Sequence, residues 1–302
     1  MPSPSSPYHR VFMFQSAGRR FSFPSWISGA LLPGAIILAA AGIAGGALSI
    51  APAEAAGVQL APHRAVYSMK LGSLRSGSST VDARGAMYVE WSEACDGWTV
   101  TQRVKLALTT AQGDDIETDS NYSSWEAKDG RSYRFTVRNM RDGRLSEELR
   151  GEANLAANAG TGEALFTTPV GTRFALPKAA VFPTEHTVQL IEAALGGANH
   201  LSRVIFDGAS LDGPLEVNAV IGGPIKSPTK VAADIGAELT GGQSWRVRLA
   251  FFPLNSQSPE PDYEVGVRLF ENGVADNFLL DYGDFSVSAN LEKIEALPRP
   301  RC

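Results

Sequence analysis

The chain has 302 residues, is 44% hydrophobic and 9% aromatic, and carries a net charge of −5 with two cysteines and four histidines. A mildly acidic balance argues against nucleic acid as a partner, and so few thiols and imidazoles argue against a multi-cysteine zinc framework. What remains is a chain long enough to bury a large core in an all-β fold of one domain.

The first predicted element is an export signal over residues 1–55. Arg10, Arg19 and Arg20 form a basic start, and no charged side chain occurs from Phe21 to Ala53. Leu31, Leu32, Ile36, Ile37 and Leu38 form the apolar core, and Ala51-Pro52-Ala53 and Ala53-Glu54-Ala55 both fit a small-residue cleavage site. The run is long enough to serve as an uncleaved anchor, but Pro33 interrupts it and a processing site follows at once. Cleavage near Ala55 is therefore expected. No cysteine follows the run, which excludes lipidation there, and the flanks of Arg19-Arg20 do not fit a twin-arginine signal.

Residues 56–302 read as one domain of strands. The apolar and polar residues alternate with the period of a half-buried strand. In chain order the runs are 65–71, 86–91, Trp98–Leu108, 116–125, Tyr133–Arg138, 145–149, 201–206, 215–221, Trp245–Phe251, Tyr263–Leu269, 274–281 and Phe285–Leu291. Asp129-Gly130, Asp142-Gly143 and Asn272-Gly273 stand between consecutive runs and predict tight hairpins, hence antiparallel neighbours. Asp96-Gly97 predicts a turn just after Cys95. The stretches 154–162 and 253–261 read as loops.

One segment breaks the β pattern. Residues 184–195 predict a short amphipathic helix, with Thr184 as its cap, Pro183 blocking extension upstream and Gly196-Gly197 ending it. Val188, Ile191 and Leu195 fall on one face, which must lie on the sheet or plug an opening in it.

Little in the chain carries chemistry. His63, His186 and His200 have no metal-ligand spacing, and each is expected to be a packing or surface residue, with His186 placed to face the sheet. Gly208-Ala209-Ser210-Leu211-Asp212 loosely resembles a nucleophile elbow, but Asp212 replaces the last glycine and Pro214 precludes a following helix. A plain turn is expected. The cluster Asp114, Asp115, Glu117 and Asp119 lacks the spacing of a calcium loop and reads as a solvated edge. Arg131, Arg134, Arg138, Arg141, Arg144 and Arg150, interleaved with Glu147, Glu148 and Glu152, read as a solvated strand face, with an anionic envelope component as the sharper alternative. No catalytic residue, cofactor or metal is assigned.

Cys95 and Cys302 are the only thiols. In an exported chain two cysteines favour a disulfide over two free thiols. A bridge between residues 207 positions apart would contribute at most about 5 kcal/mol by chain entropy.

Several segments together resemble the cell-envelope integrity proteins of the EipB type. They are Pro62-His63-Arg64-Ala65-Val66-Tyr67, Cys95-Asp96-Gly97-Trp98, Phe182-Pro183-Thr184-Glu185-His186-Thr187, Asp281-Tyr282-Gly283-Asp284-Phe285 and the end Leu297-Pro298 to Cys302. The resemblance implies a periplasmic protein with a long, spiralled antiparallel sheet, open and barrel-like, with one helix and a Cys95–Cys302 disulfide. It also implies a non-enzymatic role in the envelope barrier, soluble after signal cleavage, through contacts with envelope proteins, lipids or glycans. A curved sheet that does not close leaves an apolar concave face, so the alternative is a module that binds or carries an acyl chain in a cleft.

Overall fold

The computed structural model describes residues 57–226, 236–254 and 256–302. The expected export signal lies outside them. The strands are β1 (His63–Leu74), β2 (Thr80–Glu93), β3 (Gly97–Thr110), β4 (Asp115–Ala127), β5 (Ser132–Arg141), β6 (Arg144–Leu155), β7 (Gly162–Thr168) and β8 (Arg173–Leu176), then, after helix α1 (Pro183–Leu195), β9 (His200–Ile205) and β10 (Leu215–Ile225). A single-turn helix α2 (Ala237–Thr240) precedes β11 (Ser244–Pro253), β12 (Tyr263–Phe270), β13 (Ala275–Asp281) and β14 (Phe285–Ala296).

All fourteen strands form one antiparallel sheet in the order β8-β7-β6-β5-β4-β3-β2-β1-β14-β13-β12-β11-β10-β9. The sheet is two meanders joined where β1 pairs with β14, His63 opposite Ala296. The expected open, curved all-β sheet is what the chain forms. Its two free ends are β8 and β9, neighbours in sequence across α1. They approach through one parallel bridge: Val181 donates to the Val204 carbonyl at 2.9 Å, and the Phe206 N–H donates to the Val181 carbonyl at 3.1 Å. The sheet thus curls until its ends nearly meet, without β8 and β9 pairing.

Strict up-and-down order puts alternate connections at opposite ends. The β2–β3 turn, α1, α2 and the C-terminal tail lie at one end. The β1–β2, β3–β4, β5–β6, β7–β8, β9–β10, β11–β12 and β13–β14 connections lie at the other.

Alternation sorts the two faces. In β5, Tyr133, Phe135 and Val137 are buried while Arg134 and Arg138 are exposed; in β1, Ala65, Tyr67 and Met69 are buried while Arg64 and Lys70 are exposed. Only the Asp142-Gly143 hairpin has both central residues in the left-handed region, at φ 49° and 73°, as a type I′ turn requires. At the other two only the glycine is left-handed, Gly130 at 66° and Gly273 at 84°.

β7 and β8 were not expected. They are seven and four residues long, too short for a clear period. The alternation that exists, with Ala164 and Phe166 inward, is overlaid by semi-exposed Leu165. The helix differs as well. Its face is His186, Leu190, Ile191 and Ala194, whereas Leu195 is 52% exposed. Leu195 ends the helix beyond the reach of the sheet.

Candidate functional site

The concave face is partly filled by its own side chains. On the β5–β8 arm, Tyr133, Phe135, Phe166, Phe182 and Phe206 pack together. Tyr133 stacks on Phe182 with ring centres 4.8 Å apart, and Phe135 meets Phe166 edge-on at 4.9 Å, geometries that add to the area buried. The loop after β9 lies over this arm. At Gly208 a side chain could not fit: φ is +66° and a Cβ would stand 2.4 Å from the Phe135 ring.

Beside this aromatic cluster the curl encloses a cavity of about 340 Å³. Its apolar wall comes from both meanders: Met69, Val104, Leu106 and Val137 on one side, Ile205, Phe251, Val265 and Leu280 on the other. Pro183, His186 and Thr187, from the first turns of α1, also line it. The helix therefore plugs an opening of the sheet, one of the two roles its stripe required.

Polar residues also line the cavity, among them Gln102, Ser120, Asp207 and the tyrosines Tyr122, Tyr263 and Tyr282. Asp207, Tyr122 and Tyr282 retain accessible surface although protein surrounds each of them, and the cavity accounts for both facts. The hydroxyls of Tyr122 and Tyr133 are within hydrogen-bond reach of each other and of the Asp207 carbonyl, at 3.1 and 3.0 Å from it, and with one proton each they share these contacts. The Asp207 carboxyl accepts the Ala209 N–H at 2.9 Å. Burial raises its pKa, against its backbone hydrogen bonds, and the charge of Asp212 raises it further. The same loss of hydration pushes the three cavity tyrosines upward.

His186 is 5% exposed, and its Nε2 has no hydrogen-bond partner. Burial, then the charge of Arg203, lowers its pKa to about 4, so it is neutral at physiological pH. His63 is also buried, its Nδ1 2.8 Å from the Ala61 carbonyl, and burial lowers it too; His200 is exposed.

α1 is held by a residue far away in sequence. Phe182 is the N-cap and contributes no side-chain hydrogen bond. Instead Glu126, 2% exposed on β4, accepts the N–H of Thr184 at Oε2 (2.7 Å) and of Glu185 at Oε1 (2.8 Å). Thr184 is thus not the cap expected from the sequence but the residue being capped. Pro183 at the first helical position shifts the start one residue upstream. Burial pushes the Glu126 carboxyl up to about 7, against the two N–H bonds.

The other sequence candidates fall elsewhere. Ser210 is buried in the β9–β10 loop and its Oγ accepts the Asp212 N–H at 3.1 Å, so the elbow-like stretch is a turn. In the acidic cluster, Asp115 accepts from Thr109 and Asp119 faces Lys105 at 3.4 Å. No group of three His, Cys, Asp or Glu residues among those described could hold a metal ion. The arginines of β5 and β6 lie on the outer face, with Arg134 4.4 Å over the Trp125 ring and Arg150 3.8 Å from Glu148. Cys95, in the β2–β3 turn, and Cys302 have Cα atoms 5.7 Å apart with sulfurs at bonding distance. The tail is also held by Arg299, which donates to Glu93 at 2.6 Å and to the Leu60 carbonyl at 2.7 Å.

A second, larger groove of about 640 Å³ runs along the seam between the β8 side and β9. Three of its four cations are already committed: Lys128 to Glu93 at 2.8 Å, Arg131 to Asp129, Arg203 to Gln189 and the Ser202 carbonyl; the fourth, Lys178, is exposed. The enclosed cavity is the stronger candidate, because there polar groups are desolvated and an apolar ligand would displace water. Of the residues that line it, Tyr122 and Asp207 were not singled out from sequence and Tyr282 stood only within a resemblance segment; Glu126, which caps the helix that plugs it, was not singled out either. Glu126 and Tyr122 sit at inward positions of a strand, where a polar residue was the available signal.

The comparisons with known proteins agree with this architecture. The model of the EipB-like family matches residues 54–298. The cell envelope integrity protein EipB of Brucella abortus is 28% identical over 264 residues, spanning 87% of this chain and 91% of that protein. A crystal structure of a β-barrel-like protein of a domain of unknown function, also from Brucella abortus, superposes with a TM-score of 0.75 at 28% identity, covering 80% of this chain and all of that one. The chain belongs to the EipB-like family.

Proposed function

We propose that this protein works in the cell envelope, in the periplasm after removal of the export signal, as a non-catalytic factor that maintains the integrity of the barrier. Its membership of the EipB-like family and its similarity along most of its length to a cell envelope integrity protein carry this reading. The site chemistry supports a non-enzymatic role. His186 has an unpartnered Nε2 and Ser210 bonds backbone, so neither joins a nucleophile–base pair of the kind hydrolases use. No helix among the described residues is long and apolar enough to cross a membrane. Deleting the gene should sensitise cells to detergents and to cell-wall antibiotics, with recovery on complementation. An unchanged barrier in the deletion strain would remove the proposal.

The enclosed cavity favours a second, compatible reading, in which the lumen binds an acyl chain. Its volume lies near the lower end of small-ligand pockets, about 300–1,000 Å³, which suits one chain rather than two. Native mass spectrometry of protein purified from its own envelope should show a co-purifying single-chain lipid. Apoprotein alone, in repeated preparations, would count against this reading.

A further inference from the structure

Taking the lumen as a chain-binding site, we propose that its ligand is a single-chain amphiphile with an amine head, the ammonium seated at Asp207 and the chain along Val104, Leu106 and Val137. The argument is charge complementarity inside an enclosed space. No lysine or arginine lines the cavity. Two carboxyl residues do, Asp207 and Glu264. Glu264 is already engaged by Arg248, which donates to it through Nε at 2.9 Å, and this pair is on the solvent side of the sheet.

That leaves Asp207. Its carboxyl is held only by backbone N–H groups, and no cation acts on it; the nearest charged influence is another carboxyl, Asp212. A buried carboxyl without a counter-charge is costly to keep ionised. A ligand ammonium would supply the missing charge, whereas a fatty-acid carboxylate or a phosphate head would add a like charge where no lysine or arginine lines the wall to offset it. Tyr122, Tyr263 and Tyr282 also line the lumen, but their hydroxyls are neutral and do not offset the charge of a carboxylate. Those of Tyr122 and Tyr133 are directed to the Asp207 carbonyl. Val104, Leu106, Val137, Ile205, Val265 and Leu280 supply an apolar stretch of wall that matches a hydrocarbon chain.

Isothermal titration of the disulfide-intact protein with dodecylammonium, dodecanol and dodecanoate, each below its micelle concentration, tests the assignment. Dodecylammonium should bind at least about tenfold more tightly than dodecanoate, the least that a buried charge pair contributes. Asp207→Asn should bring the two within about twofold of each other, since the charge pair is lost. Val137→Trp, which fills the lumen, should weaken all three. Dodecanoate binding as tightly as dodecylammonium, or an unaltered preference in Asp207→Asn, would overturn the amine assignment and leave a chain pocket standing. No binding by any of the three would overturn both. The ranking in the wild type requires no variant to fold.

Discussion

Glu126 and Thr184 lie 58 residues apart, and the carboxylate of the first receives the backbone N–H of the second at 2.7 Å. With the adjacent bond from Glu185 at 2.8 Å, one side chain of the sheet satisfies two of the donors that an α-helix leaves unpaired at its start. The sheet thereby fixes where α1 enters the curl, and α1 in turn lines the cavity with His186 and Thr187. Glu126→Ala should destabilise the protein by about 2 kcal/mol, the scale of a lost cap with charged character. Thermal melting should show a fall of about 4–8 °C for a domain of this size. A melting point within one degree of wild type would show that water replaces the cap at no cost.

The same group predicts a pH dependence. Its folded pKa, about 7, lies above the ordinary value of 4.5 because burial outweighs the two N–H bonds. A raised carboxyl binds its proton more tightly in the folded state. Its contribution to stability is therefore complete below 4.5 and disappears as pH rises through about 7. Urea unfolding of wild type and Glu126→Gln between pH 4.5 and 8 measures it. Wild type should lose stability relative to the variant as pH rises across that window. A difference that stays constant, or runs the other way, would mean that the carboxylate is ionised throughout.

Cys95 and Cys302 stand at bridging separation, Cα atoms 5.7 Å apart. The expected disulfide would tie the tail to the β2–β3 turn. Cys302→Ser should lower the melting temperature of oxidised protein to that of reduced wild type, a loss of up to about 5 kcal/mol in the chain-entropy model. Peptide mass mapping under non-reducing conditions gives an independent reading. Two free thiols in protein taken from the periplasm would refute the bridge.

Gly208 meets Phe135 where no side chain fits. Gly208→Val imposes a left-handed β-branched residue and a collision with a buried ring. It should cost about 2 kcal/mol or more. Since Asp207 is the preceding residue, binding to the cavity should fall with stability. Unaltered melting would mean that the loop moves away from the β5–β8 arm without penalty.

Much of this fold was legible because a strand's period is local. Trp98 to Leu108, Tyr133 to Arg138 and Phe285 to Leu291 alternate in the sequence and form β3, β5 and β14. Asp142-Gly143 marks its hairpin by the two residue types that tolerate left-handed backbone. The helix was legible as an element, but its cap and its buried face were not. Both are set by Glu126 and by the sheet beneath, which sequence neighbours do not encode. β7 and β8 escaped notice because they are too short to show a period and are held by pairing with β6 and with each other.

The sequence by itself determined the class of fold, the antiparallel hairpins, the place of the helix and the family resemblance, since each rests on residue types at short spacing. Only the tertiary structure decided how far the sheet curls, which inner positions pack and which enclose a cavity, and that Asp207 stands there without a cation. These depend on side chains from strands far apart in the chain, and burial and charge are properties of the assembled surroundings, not of any segment.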